Sequence, residues 1–494
     1  MKDSLISPLD THNELLISRV HPIDWVNPQP KDQYDLVVIG AGTAGLVVAA
    51  GAAGLGIGLK VAIIEKHLMG GDCLNVGCVP SKTVIRSSRV VGEMQQARSF
   101  GVMPPDSIEV DFPAVMERMR RIRAEISEND SAERFQKLGI DVFLGEGKFL
   151  DRERIAVGDR ILKFKKATIA TGARASKPNI PGLAKVGFLT NETVFSLTEQ
   201  PNRLAVIGGG SIGCEMAQTF RRLGCEVTLF HNKDRLLDRE DPEAAELLKQ
   251  VLINEGIRIV FNSSIDKVEP GKIIHFNSQQ ITVDEILVGA GRSPNVERLN
   301  LEAAGVDYTK KGVKVNDYLQ TTNPKIFAAG DICMDWKYTH AADAAARIVI
   351  KNALFSPFGL SRSKLSDLIM PRAIYTDPEI AQVGVDHDSD AEVIKIPLEK
   401  VDRAIADGET NGFVKILHRN GEILGATIVA RHAGEMISEI TLAIVGKCSL
   451  NTLSSVIHPY PTQAEAIRKA ADAYRKTLLT PRSRKLLGLL TKLS

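Results

Sequence analysis

Short, β-branched apolar runs that end in glycine mark the first elements of the chain. Tyr34-Asp35-Leu36-Val37-Val38-Ile39 has the pattern of a strand buried in a parallel sheet. It enters Gly40-Ala41-Gly42-Thr43-Ala44-Gly45, a small-residue helical stretch, and a second strand over residues 60–64 that ends at Glu65. The same arrangement recurs at Arg203-Leu204-Ala205-Val206-Ile207. There the run enters Gly208-Gly209-Gly210-Ser211-Ile212-Gly213, then a helix over 214–223 and a strand over 227–230. Further strand-to-turn elements are expected at 166–174, 286–295 and 326–331. Residues 112–139 repeat apolar positions at helical spacing, with Val115, Met116, Met119 and Ile122 near one face and Arg and Glu opposite. After about residue 368 the texture changes. Shorter strands over 412–417 and 423–429, with helices over 434–446 and 463–476, predict a separate α+β domain.

Both ends of the chain read differently. In residues 1–31, Leu15, Ile17, Val20 and Ile23 suit a short amphipathic helix docked on the body, or else a partly ordered arm. Residues 481–494 set Leu486, Leu487, Leu489, Leu490 and Leu493 among Arg and Lys. Such a tail is a packed helix, a frayed end, or a segment lying on a membrane surface.

Composition narrows the class. The 494 residues are enough for two to four domains, and 44% hydrophobic with 25% charged content is that of an ordinary globular protein. A net charge of +2 argues against nucleic acid as an obligatory partner. Six cysteines are too few for a disulfide scaffold; with no signal peptide visible, a cytoplasmic location is expected. No apolar run reaches the length of a membrane span.

Candidate chemistry sits at the glycine turns. Glu65 lies twenty residues after Gly45, which suits a carboxylate on an adenosine ribose, while pyrophosphate approaches the helix N-terminus. The second strand of the recurring unit closes on His231-Asn232-Lys233-Asp234-Arg235. No acid stands at 231 to repel a 2′-phosphate, and Lys233 and Arg235 could attract one, so NADPH is preferred and NADH is the alternative. Asp331, at a strand's carboxyl end, is placed where ligands bind in open α/β sheets.

The stretch 70–82 holds Cys73 and Cys78, five positions apart. In a regular helix such residues are about 140° apart around the axis. Bridging them needs a bent backbone, which Gly70, Gly71, Gly77 and Pro80 make available. On spacing alone the pair reads equally as a redox disulfide, as free cysteines, or as metal ligands.

In order, the Gly40 turn with Glu65, stretch 70–82, Ala170-Thr171-Gly172, the Gly208 turn, Gly291-Arg292-Ser293-Pro294-Asn295, Ala329-Gly330-Asp331 and Tyr375-Thr376-Asp377-Pro378-Glu379 resemble one family. It is the flavin-dependent pyridine nucleotide–disulfide oxidoreductases, which include glutathione reductase, dihydrolipoamide dehydrogenase and mercuric reductase. The resemblance spans about residues 33–476 and implies an α/β fold with two Rossmann-like dinucleotide-binding domains and a C-terminal α+β dimerisation domain. The implied division is an extension over 1–31, an FAD-binding domain over 32–185 and 316–367, an NAD(P)H-binding domain over 186–315, an interface domain over 368–480, and the tail. It implies FAD held by Gly40, Gly42, Gly45, Glu65, Thr171, Gly172, Arg292, Gly330 and Asp331. It places NADPH at Gly208, Gly210, Gly213 and His231. Cys73 and Cys78 become the redox pair, with Cys78 facing the flavin and Cys73 the acceptor. Lys82 matches a family lysine beside the flavin that is paired with a glutamate matching Glu215. A homodimer is implied, with a small-molecule or metal-ion electron acceptor and no resident metal.

The substrate end departs from the disulfide-reducing members, which carry His-Pro-Thr-x-x-Glu across the dimer. Here the stretch is His458-Pro459-Tyr460-Pro461-Thr462-Gln463-Ala464-Glu465, which puts Tyr460 in the position of the base and keeps Glu465. Only about one phenol in a thousand is ionised at pH 7; His458, two positions earlier, is the alternative base. Tyr460, together with Val401-Asp402-Arg403-Ala404 and Asn411-Gly412-Phe413, is similar to mercuric reductases. These hand the soft ion inward with further cysteines. The last cysteine here is Cys448, which reads as lying inside an apolar helix, and a further family tyrosine is replaced by Phe188. Mercuric-ion reduction is therefore the expected activity. The alternatives are reduction of a disulfide, quinone or other metal ion, and a flavin-bearing redox sensor.

Overall fold

The computed structural model describes residues 6–386 and 388–493. The chain divides into two compact units, one of residues 1–208, 222–226 and 264–368, the other of 209–221, 227–263 and 369–494.

The first unit is built on a sheet whose centre is the strand Tyr34–Ile39. It pairs in parallel with Val61–Glu65 on one side and Arg160–Ile169 on the other, with Val38 opposite Ile63 and Thr168. Asp141–Leu144 extends the sheet beyond Val61–Glu65, and Ile326–Ala328 joins in parallel beside Arg160–Ile169. Five of the six residues of Tyr34–Ile39 are buried, as expected of a strand covered on both faces. The helix Thr43–Ala53 packs against Thr339–Leu354 so closely that a Cβ at Gly51 would stand 2.5 Å from Ile350 Cδ1.

Within the same unit the strand Arg203–Ile207 pairs in parallel with Glu285–Val288. In the second unit residues 228–230 of the strand Glu226–Phe230 pair in parallel with Arg258–Val260. The second unit also carries an antiparallel sheet in the spatial order Arg372–Ile374, Glu379–Gly384, Glu422–Ala430, Phe413–Arg419, Glu392–Pro397. Ala433–Val445 and Glu465–Thr477 cover it, and Val383, Ile416, Ile428, Ile440 and Ile467 meet in its core. This is the α+β domain that the alternating pattern predicts.

Three expectations need correction. The stretch 112–139 is not one helix: Phe112–Ile126 ends in a tight turn over Ser127–Asp130, and Ala132–Lys137 follows with Ser131 as its cap. Its buried face contains Arg120 and Arg123 rather than Val115 and Ile122, because both guanidinium groups find partners inside. The N-terminal segment does form a docked helix, Thr11–Val20, but on Asn13, Leu16, Ile17 and Val20; Leu15 and Ile23 are exposed. Finally, Cys448 lies outside a helix, after Ala433–Val445 ends and before Leu450–Ser455 begins.

Candidate active site

Cys73 and Cys78 stand on either side of a sharp bend. Cys73 is in the short helix Gly71–Asn75, and Cys78 is the first residue of the nineteen-residue helix Cys78–Gln96. Gly70 enters the bend with φ of 89°, and any Cβ there would come 2.5 Å from Leu74 Cδ2 and 2.9 Å from Asp130 Oδ2. A Cβ at Gly77 would come 2.7 Å from the Asp72 carbonyl oxygen. The sequence placed glycines where the loop has no room for side chains. Both cysteines are free thiols in this structure, Cys73 partly buried and Cys78 exposed.

Two helix N-termini converge on these thiols. Cys78 Sγ lies 3.2 Å from Oγ1 of Thr339, which opens Thr339–Leu354. A thiolate at such a position is favoured by the positive end of each helix. The Cys73 thiol is pushed far upward, first by its hydrogen bond to Cys78, then by burial and by the neighbouring charge of Cys78; the Thr339 hydroxyl opposes this. Thr339 was missed by the sequence reading; its signal was a hydroxyl residue opening a helix eight positions after Asp331.

The bend is held from behind. Asn75 is buried and donates to the carbonyls of Met69 at 3.0 Å and Gly71 at 2.9 Å. Its own carbonyl accepts from Arg123 Nη1 at 2.6 Å, and Arg123 Nη2 donates to Asn13 Oδ1 at 2.7 Å. Burial lowers the Arg123 guanidinium to about 10, still charged at neutral pH. Asp130, beside Gly70, is raised to about 6 by burial against the weaker pull of Arg134, and its charge bears on Cys73. Neither Arg123 nor Asp130 stood out in the sequence.

The first glycine turn makes a cradle that fits a dinucleotide. Gly40 has φ of 100°, and a Cβ would stand 2.3 Å from the Ala170 oxygen; at Gly45 it would stand 1.8 Å from the Gly40 oxygen. Gly42 caps Thr43–Ala53 without a side-chain hydrogen bond, leaving the helix's first amides to an anion. Glu65 accepts from the amides of Ala41 at 2.6 Å and His67 at 2.8 Å, and each carboxylate oxygen keeps a further lone pair for a ribose hydroxyl. Across the sheet, Thr171 and Asn295 exchange hydrogen bonds at 3.0 and 2.9 Å beside Gly172, whose φ is 65°. Gly330 packs on Ala44, so Asp331 comes to the same cradle. Arg292 is largely buried, and ion pairs with Asp72 and, at 3.0 Å, with Asp331 keep its guanidinium charged there. Burial raises Asp331, with Arg292 and Lys337 acting against it.

The second turn is built alike. Gly208 has φ of 119°, and a Cβ at Gly209 would lie 2.6 Å from Leu236 Cδ2 and 2.8 Å from His231 Cγ. His231 is buried under that turn: Nδ1 accepts from the Gly209 amide at 3.1 Å, Nε2 has no hydrogen-bond partner among the described residues, and burial lowers its pKa. A neutral ring with an orphaned nitrogen fits a site that a ligand completes. Space is open around a Cβ at Gly210, and Gly213 is buried in Ser211–Arg222. Lys233 is exposed, while Arg235 turns back to the Asp238 carbonyl at 2.8 Å.

Lys82 lies one helical turn beyond Cys78 and is partly buried. Glu215, in the other unit, is buried and accepts from the Tyr375 amide at 2.9 Å. His458, Tyr460 and Glu465 all belong to that second unit. The His458 side chain is buried, with Nε2 2.9 Å from Glu439 Oε1 and Nδ1 3.2 Å from the Val456 carbonyl. Tyr460 is 70% exposed and donates to Asp402 Oδ2 at 2.9 Å, a bond that raises its pKa. Glu465 is buried; Oε1 takes Arg468 at 2.8 Å, and Oε2 has no hydrogen-bond partner among the described residues.

Comparison with known proteins fits this geometry. Residues 34–346 match the family model described as pyridine nucleotide-disulphide oxidoreductase, and residues 370–471 match the dimerisation domain of the same family. A mercuric reductase of Lysinibacillus sphaericus is 33% identical over 96% of this chain and 89% of its own. One from Staphylococcus aureus is 36% identical over 90% and 83%. A dihydrolipoyl dehydrogenase of Chlamydia muridarum is 32% identical over 89% and 96%. Among solved structures, LpdA from Mycobacterium tuberculosis superposes with a TM-score of 0.81 at 26% identity, covering 89% of this chain and 99% of its own. A copper(II) complex of the HOCl-induced flavoprotein disulfide reductase RclA from Escherichia coli gives 0.79 at 25% identity, covering 90% and 100%.

Proposed function

Because the chain belongs to the pyridine nucleotide-disulphide oxidoreductases, an FAD-dependent family that uses NAD(P)H, we propose that its acceptor is a soft metal ion of the mercuric type, reduced at the Cys73–Cys78 pair. FAD, when bound, supplies the ring that relays two electrons from the nicotinamide toward the sulfur pair. Gly40, Gly42, Gly45, Glu65, Thr171, Gly172, Arg292, Gly330 and Asp331 are the residues to hold it. Gly208, Gly210, Gly213 and His231 would hold the nicotinamide cofactor, with Lys233 exposed nearby in sequence to meet the 2′-phosphate of NADPH.

The carrying observation is Tyr460. Where disulfide-reducing relatives place an imidazole base, this chain places a phenol whose proton is held on Asp402, so it is a poor general base at neutral pH. His458 is committed to Glu439. A reaction that needs a base beside the thiols is disfavoured; one that needs thiolate ligands is not. Soft ions take sulfur ligands, and each thiol gives up its proton as it binds. Cys78 is readied for this by the two helix N-termini and the Thr339 hydroxyl. The relatives named mercuric reductase support the same reading.

The test is anaerobic titration of the flavoprotein with NADPH, followed by mercuric–thiol complexes, cupric ion, oxidised glutathione, lipoamide and quinones. Mercury-dependent NADPH oxidation well above the rates with the others is expected. Turnover with a disulfide or quinone alone would move the assignment. That second reading is favoured by one fact: residues 449–494 contain no cysteine to pass a soft ion inward.

A further inference from the structure

We propose that the C-terminal helix Pro481–Leu490 docks this enzyme on an anionic phospholipid surface. The helix has no buried residue. Leu486 and Leu489 are 60% and 57% exposed, and Leu487, Leu490 and Leu493 are exposed as well. Leucines left in water along the C-terminal half of a helix are not explained by packing within the chain, since the core of the α+β domain is filled by other residues.

The arrangement around the axis identifies the partner. At 100° per residue the four leucines of the helix occupy an arc of about 160°, while Arg484 and Lys485 fall outside it. Residues 481–494 contain Arg482, Arg484, Lys485 and Lys492 and no Asp or Glu. Arg482 and Ser483 share that arc one turn earlier, so the apolar stripe is confined to residues 486–490. Leucines at the acyl boundary, with guanidinium and ammonium groups beside and before them among phosphates, suit an interfacial helix. A second copy of this chain would meet four cations with its own four, which is unfavourable unless acids lie opposite. Charge complementarity therefore favours lipid phosphate over self-association. No helix among the described residues is long and apolar enough to cross a membrane, so the contact is peripheral, and it needs nothing from the Cys73–Cys78 site.

The experiment is co-sedimentation of the full-length, FAD-loaded protein with vesicles of phosphatidylcholine alone and of phosphatidylcholine with phosphatidylglycerol. Binding is expected to the mixed vesicles and to weaken as salt rises. Arg484→Glu with Lys485→Glu is expected to lower it at least about fivefold per cation removed, and Leu486→Asp with Leu490→Asp at least about tenfold. NADPH oxidation should be unchanged in both variants, which shows that they are folded. Equal sedimentation with both lipids, none with either, or full binding by the aspartate variant would each overturn the proposal. So would a shift of that variant from dimer to monomer in sedimentation velocity, which would assign the leucine face to a second copy.

Discussion

The Cys78 thiol meets the Thr339 hydroxyl at 3.2 Å, so the first residues of two long helices touch at one sulfur. Residues 261 positions apart thereby share one electrostatic setting. A hydrogen bond to a charged group is worth about 1.5–3 kcal/mol. Thr339→Val is expected to raise the midpoint pH for alkylation of the more reactive thiol by about one to two units. Thr339→Ser should keep the wild-type profile. Rates of iodoacetamide labelling against pH check both.

Asp130 makes stability depend on pH. Burial raises its carboxyl to about 6 from an ordinary 3.8, so the folded state holds the proton more tightly than the unfolded chain. The penalty is absent below about pH 4, grows as pH rises toward 6, and is complete above it. Asp130→Asn should therefore stabilise the protein by about 1–3 kcal/mol at pH 8 and change nothing near pH 3.5. Urea unfolding at the two pH values reads this directly. With the negative charge gone, Cys73 should also alkylate faster at pH 8.

Arg123 ties the N-terminal helix to the cysteine bend through Asn13 and the Asn75 carbonyl. Arg123→Leu leaves both acceptors buried and unpaired, and a loss of about 2–4 kcal/mol in unfolding free energy is expected. Arg123→Lys should recover little, because one ammonium does not reproduce the planar fork. An unchanged urea midpoint in the leucine variant would show that the fork contributes nothing.

His458 and Tyr460 are separable by kinetics. On the metal-ion reading, in which the resemblance to mercuric reductases sets the Tyr460 hydroxyl against the acceptor, Tyr460→Phe removes that contact and should lower mercury-dependent NADPH oxidation about tenfold. His458→Ala breaks the contact with Glu439 and should lower thermal stability while leaving turnover within about twofold. The opposite pattern would make His458 the base and favour the disulfide reading.

Local pattern carried much of this protein. Strand periodicity, the glycine turns and the cysteine pair are each local features whose chemistry is written in short segments: a run such as Tyr34–Ile39 can only be buried, and Gly40 and Gly45 are required because backbone occupies the space a Cβ would fill. What the sequence could not disclose are meetings between distant segments. Periodicity set Arg123 among solvent-facing charges, yet a fork of donors is stable in the interior once Asn13 and Asn75 are folded against it. Likewise the acidity of Asp130 depends on burial beside Gly70, and Thr339 gains its role only by meeting Cys78, 261 positions away. The desolvation and charge that tune a group come from whatever surrounds it in space, and only the tertiary structure decides what that is.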